Sequence, residues 1–341
     1  NIEIIKSDLF DRKLNRWKVY LDLMKILIFG KDEKIQNFLL KNNIDIISHT
    51  SILGRKSKIP SIKYIPDFQE LYYPEYFNWK LILKRKLMLW WALNNSNRIL
   101  LYSESIKKDM NKIFKLKNDK VSFLPYCSNI NGNELVSFED LKIKYKIQEN
   151  FFYLPNHFWK HKNHITVYKS IEYLKNNGNQ IYLVTTGEKS DYRNPEYIKE
   201  LDNYISNNNL NKNINHLGII PMREVYSLIK YCKAIINPSF FEGWGTSVEH
   251  ARYFKKHVIA SNIQIHLEQN EFNTNQKINS EHAKYYCHYF NPENHIELAN
   301  LMLEQLRNDE KNDNVESYQE KHNLIVKEFY LKYVNIIKSL I

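Results

Sequence analysis

Glycine is scarce in this 341-residue chain, with eight in all, and cysteine is scarcer, with three. Cys127, Cys232 and Cys287 stand far apart. That spacing excludes a zinc ribbon and a disulfide framework, and it fits a reducing cytoplasm. No apolar run approaches the roughly 18 residues that a bilayer-spanning helix needs. The opening residues NIEIIKSDLF lack the charged, apolar, small order of a secretory signal. The chain begins at Asn1 rather than at methionine, so the natural N-terminus is expected upstream. Solenoid-length repeats and low-complexity tails are absent too.

What is present is ordinary for a globular chain: 43% hydrophobic and 26% charged residues, with length enough for two α/β domains. The formal net charge of +11 has two readings. One is a composition rich in Lys, Asn and Ile throughout. The other is attraction to an anionic partner: a diphosphate, a membrane surface or nucleic acid. No nucleic-acid-binding motif supports the last of these.

Short β-branched and aromatic runs alternate with helix-like stretches. Strands are expected at 44–48, 62–65, 98–103 and 121–125, and again at 151–155, 181–187, 213–218, 234–239 and 257–261. Most are near-continuous apolar runs, the pattern of strands buried on both faces of a parallel sheet. Segments 165–177 and 222–232 between them carry helical spacing. Strand–helix alternation of this kind predicts doubly wound α/β layers. The polar stretch 126–150 is expected to join two such domains, and 316–341 to form a long amphipathic helix. NWKLILKRKLMLWWALNN (78–95) mixes Lys80, Lys84, Arg85 and Lys86 with Leu and Trp. An interfacial membrane helix is one reading. Its apolar residues occupy most faces, which fits a buried domain helix better.

The chemistry concentrates in NPSFFEGWGTSVEHARYFKKHVIASNIQIHLEQ (237–269). Pro238 ends a strand, Glu242 to Gly245 make a tight turn, and a helix begins near Thr246. A helix start after a glycine turn is an anion site, because its free N–H groups and positive dipole end face the ligand. Glu242 has no cheap structural task there. Glu249 does, since Thr246-x-x-Glu249 is a capping-box pattern; a ligand role stands open beside it. In NHFWKHKNH (156–164), Lys160 and Lys162, with Asn156 and His157, can face a diphosphate. The two histidines of HKNH, three apart with no third ligand, predict surface residues rather than a metal site.

These stretches resemble glycosyltransferase family 4, retaining enzymes of GT-B fold. That family usually places seven residues between its two glutamates, and here there are six (GWGTSV). A bacterial polysaccharide-type subgroup also has six, followed by a tail like SNIQIHLEQ (261–269). FFYLPNHFWKHKNHITVYKSI, TTGEKSDYRNPEYIKEL, HLGIIPMREVYSLIKYC and YFNPENHIELANLM are similar to further donor-domain segments. IPDFQELYYPEYF (65–77) and LYSESIKKDM (101–110) are similar to acceptor-domain ones.

The resemblance implies two Rossmann-like domains facing a cleft. An acceptor-side domain would span 1–145, lacking its first strand–loop–helix unit. A nucleotide-sugar-binding domain would span 146–315, and the helix 316–341 would pack back toward the first domain. It implies a retaining, metal-independent hexosyltransferase, without cofactor, that moves a sugar from a nucleoside diphosphate to a hydroxyl. No Asp-x-Asp motif appears, in keeping with metal independence. Catalytic roles would fall to Glu242, Lys162 and Lys160. Donor binding would fall to Glu249, on the ribose, and to Gly243, Gly245, Thr246, Ser247, Asn156, His157 and Gly218. Asp67 and Gln69 would line the acceptor side, with Glu70 where the subgroup has histidine. The implied partners are a nucleotide sugar, a lipid-linked or oligosaccharide acceptor, and the inner face of the cytoplasmic membrane, as in lipopolysaccharide assembly. The family's Gly-rich N-terminal loop is missing, since Gly30 and Gly54 stand isolated. A non-catalytic scaffold subunit and a sugar-nucleotide epimerase of the same architecture are the rival readings.

Overall fold

The alternating runs assemble into two parallel sheets in the computed structural model of the chain, each in its own compact unit. The structure describes residues 16–50, 53–113, 120–130, 134–275, 287–307 and 315–341. The opening ten residues, read for a secretory signal, lie outside these.

In the first unit, helices α1 (Arg16–Phe29) and α2 (Glu33–Lys41) precede strand β1 (Ile47–Ser48). Strands β2 (Ser61–Tyr64), β3 (Arg98–Leu101) and β4 (Val121–Phe123) follow, with α3 (Trp79–Asn95) and α4 (Glu104–Ile113) between them. The sheet order is β1-β2-β3-β4, and every pairing is parallel. Ile62 is buried, and so is the unbroken apolar run Ile99, Leu100 and Leu101 of β3. Asp32 caps α2 by accepting from Lys34 N and Ile35 N at 3.0 and 3.1 Å.

Two expectations change here. Gly30 and Gly54, isolated in sequence, meet in space. Both have positive φ, at +78° and +83°, and a Cβ on Gly54 would lie 2.5 Å from Gly30 O. Lys56 N donates to the same oxygen at 2.8 Å. Helix α3 is not a buried domain helix. Leu89, Ala92 and Leu93 face the core, but Trp79, Leu83, Leu87, Met88 and Trp90 are exposed. The inward face of a helix on one sheet is about a third of its circumference, so the surplus apolar residues fall outside it.

The second unit holds α5 (Phe138–Tyr145), β5 (Phe151–Pro155), α6 (His164–Asn176), β6 (Tyr182–Thr186), α7 (Pro195–Asn207) and β7 (Ile214–His216). It continues through α8 (Met222–Tyr231), β8 (Ile235–Asn237), α9 (Thr246–Tyr253), β9 (Val258–Ser261), α10 (Gln264–Asn275), β10 (Cys287–Phe290) and α11 (His295–Arg307). Its parallel sheet runs β10-β9-β8-β5-β6-β7. The chain winds outward from β5 through β6 and β7, then returns to the other side of β5 for β8, β9 and β10. Alternation along β5 sends Phe152 and Leu154 into one core cluster and Phe151 and Tyr153 into the other, one on each face. A Leu or Phe so buried contributes about 1.5–3 kcal/mol.

The division between units differs from the expected boundaries. The second unit takes Tyr126–Phe329, so the supposed junction belongs to it and contains α5. It also takes Asp67–Tyr76, and with it Asp67 and Gln69. The last helix, α12 (Val315–Lys338), contributes its end from Tyr330 to the first unit. There Tyr333 Oη lies 2.6 Å from Ser48 Oγ. No described helix is long and apolar enough to cross a membrane.

The Gly30–Gly54 contact has a measurable consequence. A Cβ on Gly54 meets backbone, whereas one on Gly30 meets only side-chain carbons of Lys56, which can move. Gly30→Ala is expected to cost the about 1–2 kcal/mol of a left-handed non-glycine residue. Gly54→Ala should lose clearly more, read as a larger drop in the urea midpoint of the first unit.

Candidate functional site

A doubly wound sheet opens a crevice where neighbouring strands lead to loops that diverge, and here that point lies between β5 and β8. The loop after β5 carries the basic turn, and the loop after β8 carries Glu242. Two of the three expected catalytic residues, Lys162 and Glu242, therefore meet although 80 positions separate them. Lys162 Nζ donates to both carboxylate oxygens of Glu242, at 2.7 and 2.8 Å. Their side chains are 15% and 7% exposed, so the pair is nearly dry. Burial alone would raise the Glu242 carboxyl pKa. The charges of Lys162 and His266, with hydrogen bonds from Lys162 and Ser239, outweigh it and hold it below the ordinary value.

From Glu242 a chain of hydrogen bonds runs to the start of α9. Ser239 Oγ donates to Glu242 at 2.7 Å and lies 2.8 Å from Asn237 Oδ1. Asn237 Nδ2 reaches Ser247 Oγ at 3.3 Å. Gln269 Nε2 donates to Gly245 O at 3.1 Å. A Cβ at Gly245 would lie 2.9 Å from Gln269 Oε1, the end of a side chain that would have to shift. Gly243 sits half-buried within the turn, and Thr246, the first helical residue, is exposed. Gly245 occupies the N-cap and brings no side chain to cap the helix, so the first amides of α9 keep the anion-binding disposition of an open helix end.

The capping box does not form. Glu249 is 2% exposed and bonds Arg252, one turn on, instead of reaching back to Thr246. Burial raises its pKa, and Arg252 only partly offsets this. Cys127, Glu249 and His322 bring one ligand atom each within 4.8 Å of one another. Arg252 already holds that carboxylate, and His322 Nε2 lies 2.6 Å from Ser128 O. Glu249 and His322 are thus each engaged by a neighbour outside the cluster.

Lys160 and Lys162 bound a single 3-10 turn, Lys160–Lys162, fixed at both ends. At its start Lys160 N donates to Asp191 Oδ2 at 2.9 Å. At its end Asn163 turns left-handed (φ 56°) and its Nδ2 donates to Pro238 O and Pro292 O at 3.0 and 2.8 Å. The Lys160 ammonium is exposed, 5.9 Å from the centre of the Tyr76 ring. The histidines of HKNH, expected at the surface, are instead 4% (His161) and 0% (His164) exposed. His164 packs its ring on Phe158, with centroids 4.1 Å apart. Burial, helped by Lys162, lowers His161 to about 2 and His164 to about 3, so both are neutral.

Sequence reading missed Asp191 and Arg193. Asp191 is fully buried and its Oδ1 accepts from Arg193 N at 3.0 Å. The Arg193 guanidinium lies 3.6 Å from that carboxylate and 5.0 Å from the Trp159 ring centre. It donates to Gln69 Oε1 at 3.1 Å, so Gln69 joins the surroundings of the basic turn. Asp67 accepts from Gln69 N at 3.3 Å. Asp-x-Arg-Asn before a helix beginning with proline was the available signal, since Asp191 also accepts from Asn194 N. The remaining donor-side residues close the rim. His157 Nδ1 accepts from Glu188 N at 2.9 Å, and Gly187 N donates to Gly218 O at 2.9 Å. Asn156 is buried with no partner for its Nδ2 among the described residues.

Two Rossmann-like parallel-sheet units, one with this crevice at its strand ends, define an α/β protein of GT-B fold. The family model described as glycosyl transferases group 1 matches residues 137–322, more than half of the chain, and the chain belongs to that family. It is 23% identical over 255 residues to the O-antigen chain mannosyltransferase RfbU of Salmonella typhimurium, covering 74% of this chain and 63% of that protein. In structure it is similar to HepE of Anabaena in complex with UDP and glucose, with a TM-score of 0.69 at 16% identity over 90% of this chain and 81% of that one. WaaG, a glycosyltransferase involved in lipopolysaccharide biosynthesis, has a TM-score of 0.55 at 12% identity over 85% and 80%.

The buried bracket and the neutral imidazoles each lead to a measurement. Asp191→Ala removes the carboxylate beside Arg193 and the acceptor of the Lys160 amide, and should cost about 3 kcal/mol in urea unfolding. Asp191→Asn, which keeps an acceptor, should lose less. His161 and His164 stay neutral when folded but bind protons once unfolded below pH 6.5. Protons therefore favour the unfolded chain, and their contribution is full above pH 6.5 and falls as pH drops. Each should lose about 2 kcal/mol between pH 6.5 and 5. His164→Phe should flatten the fall of the thermal midpoint over that range.

Proposed function

We propose that this chain is a retaining glycosyltransferase of family 4, in the bacterial polysaccharide-type subgroup. It takes a hexose from a nucleoside diphosphate and passes it to a hydroxyl of a lipid-linked or oligosaccharide acceptor in surface-polysaccharide assembly. The Lys162–Glu242 pair beside the uncapped start of α9 carries this reading. The UDP and glucose of HepE support a nucleotide-sugar donor, and the names of RfbU and WaaG support the polysaccharide context.

Without donor, Lys162 and Glu242 neutralise each other. A diphosphate offers the lysine a more highly charged partner, at which the amides of Gly245, Thr246 and Ser247 are also aimed. Lys162 then exchanges Glu242 for phosphate, and Lys160 adds a second cation. The freed Glu242 accepts from a donor-sugar hydroxyl. The bond from the anomeric carbon to the phosphate oxygen breaks with its electron pair going to the diphosphate, where the lysines and the helix end stabilise it. The acceptor hydroxyl adds on the same face and its proton passes to the departing phosphate oxygen. Glu249 takes the ribose hydroxyls. Gly243 lets the turn approach the sugar, and Gly218, Asn156 and His157 border the base and diphosphate. Asp67 and Gln69 border the acceptor. The lysines supply the positive charge for which other transferases use a metal, so neither metal nor cofactor enters the cycle.

Turnover of a panel of UDP- and GDP-hexoses is the test. Lys162→Ala should lower kcat by about 100-fold or more, the scale of losing one leaving-group stabiliser. Glu242→Gln should weaken discrimination among donor sugars, and the product should keep the donor's anomeric configuration by NMR. Turnover unchanged in Lys162→Ala would remove this reading. Tight donor binding with no transfer to any acceptor would leave a scaffold.

A further inference from the structure

Three segments of the second unit converge on one point: the stretch after β4, helix α9 and helix α12. They bring Cys127 Sγ, a carboxylate oxygen of Glu249 and a ring nitrogen of His322 within 4.8 Å of one another. The hydrogen bonds around these residues leave part of their capacity unused. A backbone carbonyl can only accept, so His322 Nε2, 2.6 Å from Ser128 O, carries the ring hydrogen. Burial lowers His322 to about 4, so the ring is neutral and its lone pair sits on Nδ1. That nitrogen is buried and has no partner among the described residues. A ring whose N–H is held by a backbone carbonyl, with its other nitrogen left over, is the arrangement of a metal-ligating histidine. The Tyr253 ring meets it edge-on, with centroids 4.9 Å apart at 84°. Arg252 takes Glu249 Oε1, and a carboxylate has a second oxygen to offer.

We propose that Cys127, Glu249 and His322 bind a zinc ion, and that the ion excludes a nucleotide donor by occupying Glu249. A thiolate, an imidazole and a carboxylate together suit Zn2+, whereas Mg2+ and Ca2+ take oxygen ligands. Atoms held about 2.0–2.3 Å from zinc in a tetrahedron lie about 3.5 Å apart, so a closing of little more than about 1 Å completes the set. Water takes the fourth position. Burial pushes the Cys127 thiol up to about 12, so without a cation it keeps its proton. The zinc–sulfur bond forms as the S–H bond breaks, and the proton passes to solvent, to which Cys127 is partly open. Thiolate and carboxylate cancel the two charges of the ion, so Arg252 faces a neutral site rather than a dication. Exclusion of the donor rests on the ribose role proposed above for Glu249; the zinc site does not.

Titration of the full chain with Co2+, a spectroscopic substitute for Zn2+, tests this. One equivalent should develop a thiolate-to-cobalt charge-transfer band that Zn2+ then bleaches. The band should vanish in Cys127→Ser, persist in Cys232→Ala/Cys287→Ala, and need at least about tenfold more cobalt in His322→Gln. Urea midpoints without metal check that each variant folds. Saturating UDP should raise the cobalt needed, and Zn2+ should raise the donor KM of the parent chain but not that of Cys127→Ser. Absence of the band in the parent chain, or an equal band in Cys127→Ser, overturns the proposal. A band that UDP leaves unchanged overturns the exclusion of donor, and with it the ribose role of Glu249, while the zinc site stands.

Discussion

A lysine and a glutamate locked together in a nearly dry crevice are the constraint around which the second unit is arranged. Lys162 and Glu242 come from the loops after β5 and β8, strands made neighbours by the reversal of winding at β5. Such a pair adds little net stability, because desolvating both charges offsets most of their attraction. Its position suits another task. The hydrogen bonds and charges around it hold the Glu242 carboxyl pKa below its ordinary value in spite of burial.

The surroundings hold that geometry on both sides. The basic turn is anchored at Asp191 and Asn163, and the glutamate turn at Ser239, Asn237 and Gln269. Around the turn the imidazoles of His161 and His164 are kept neutral by burial, so they add no positive charge to that of Lys160, Lys162 and Arg193. Asn156 Nδ2 and His266 Nε2 are buried without partners among the described residues. Unsatisfied donors and acceptors of this kind are costly.

Much of this arrangement was legible beforehand, for specific reasons. A strand buried on both faces needs an unbroken apolar run, so segments such as FFYLP and AIINPS declared themselves. Glycines beside a strand end marked the turn at Gly243 and Gly245, and the pairing of Lys162 with Glu242 gathers two residues already singled out. The misreadings share a cause. Whether Glu249 caps its own helix or meets Arg252, and whether His161 is wet or dry, depends on what packs there from elsewhere. The outer stripe of α3 was hidden because apolar residues on several faces look alike in a linear pattern.

Local pattern by itself determined the α/β class and the nine expected strands, because periodicity and backbone freedom act within a few residues; β10 (Cys287–Phe290) was not among them. Tertiary structure alone decided which charges would touch, which histidines would lose water, and that Asp67–Tyr76 would pack with the second unit. Those outcomes depend on contacts between residues distant in the chain, and on the burial that follows when the strands find their order.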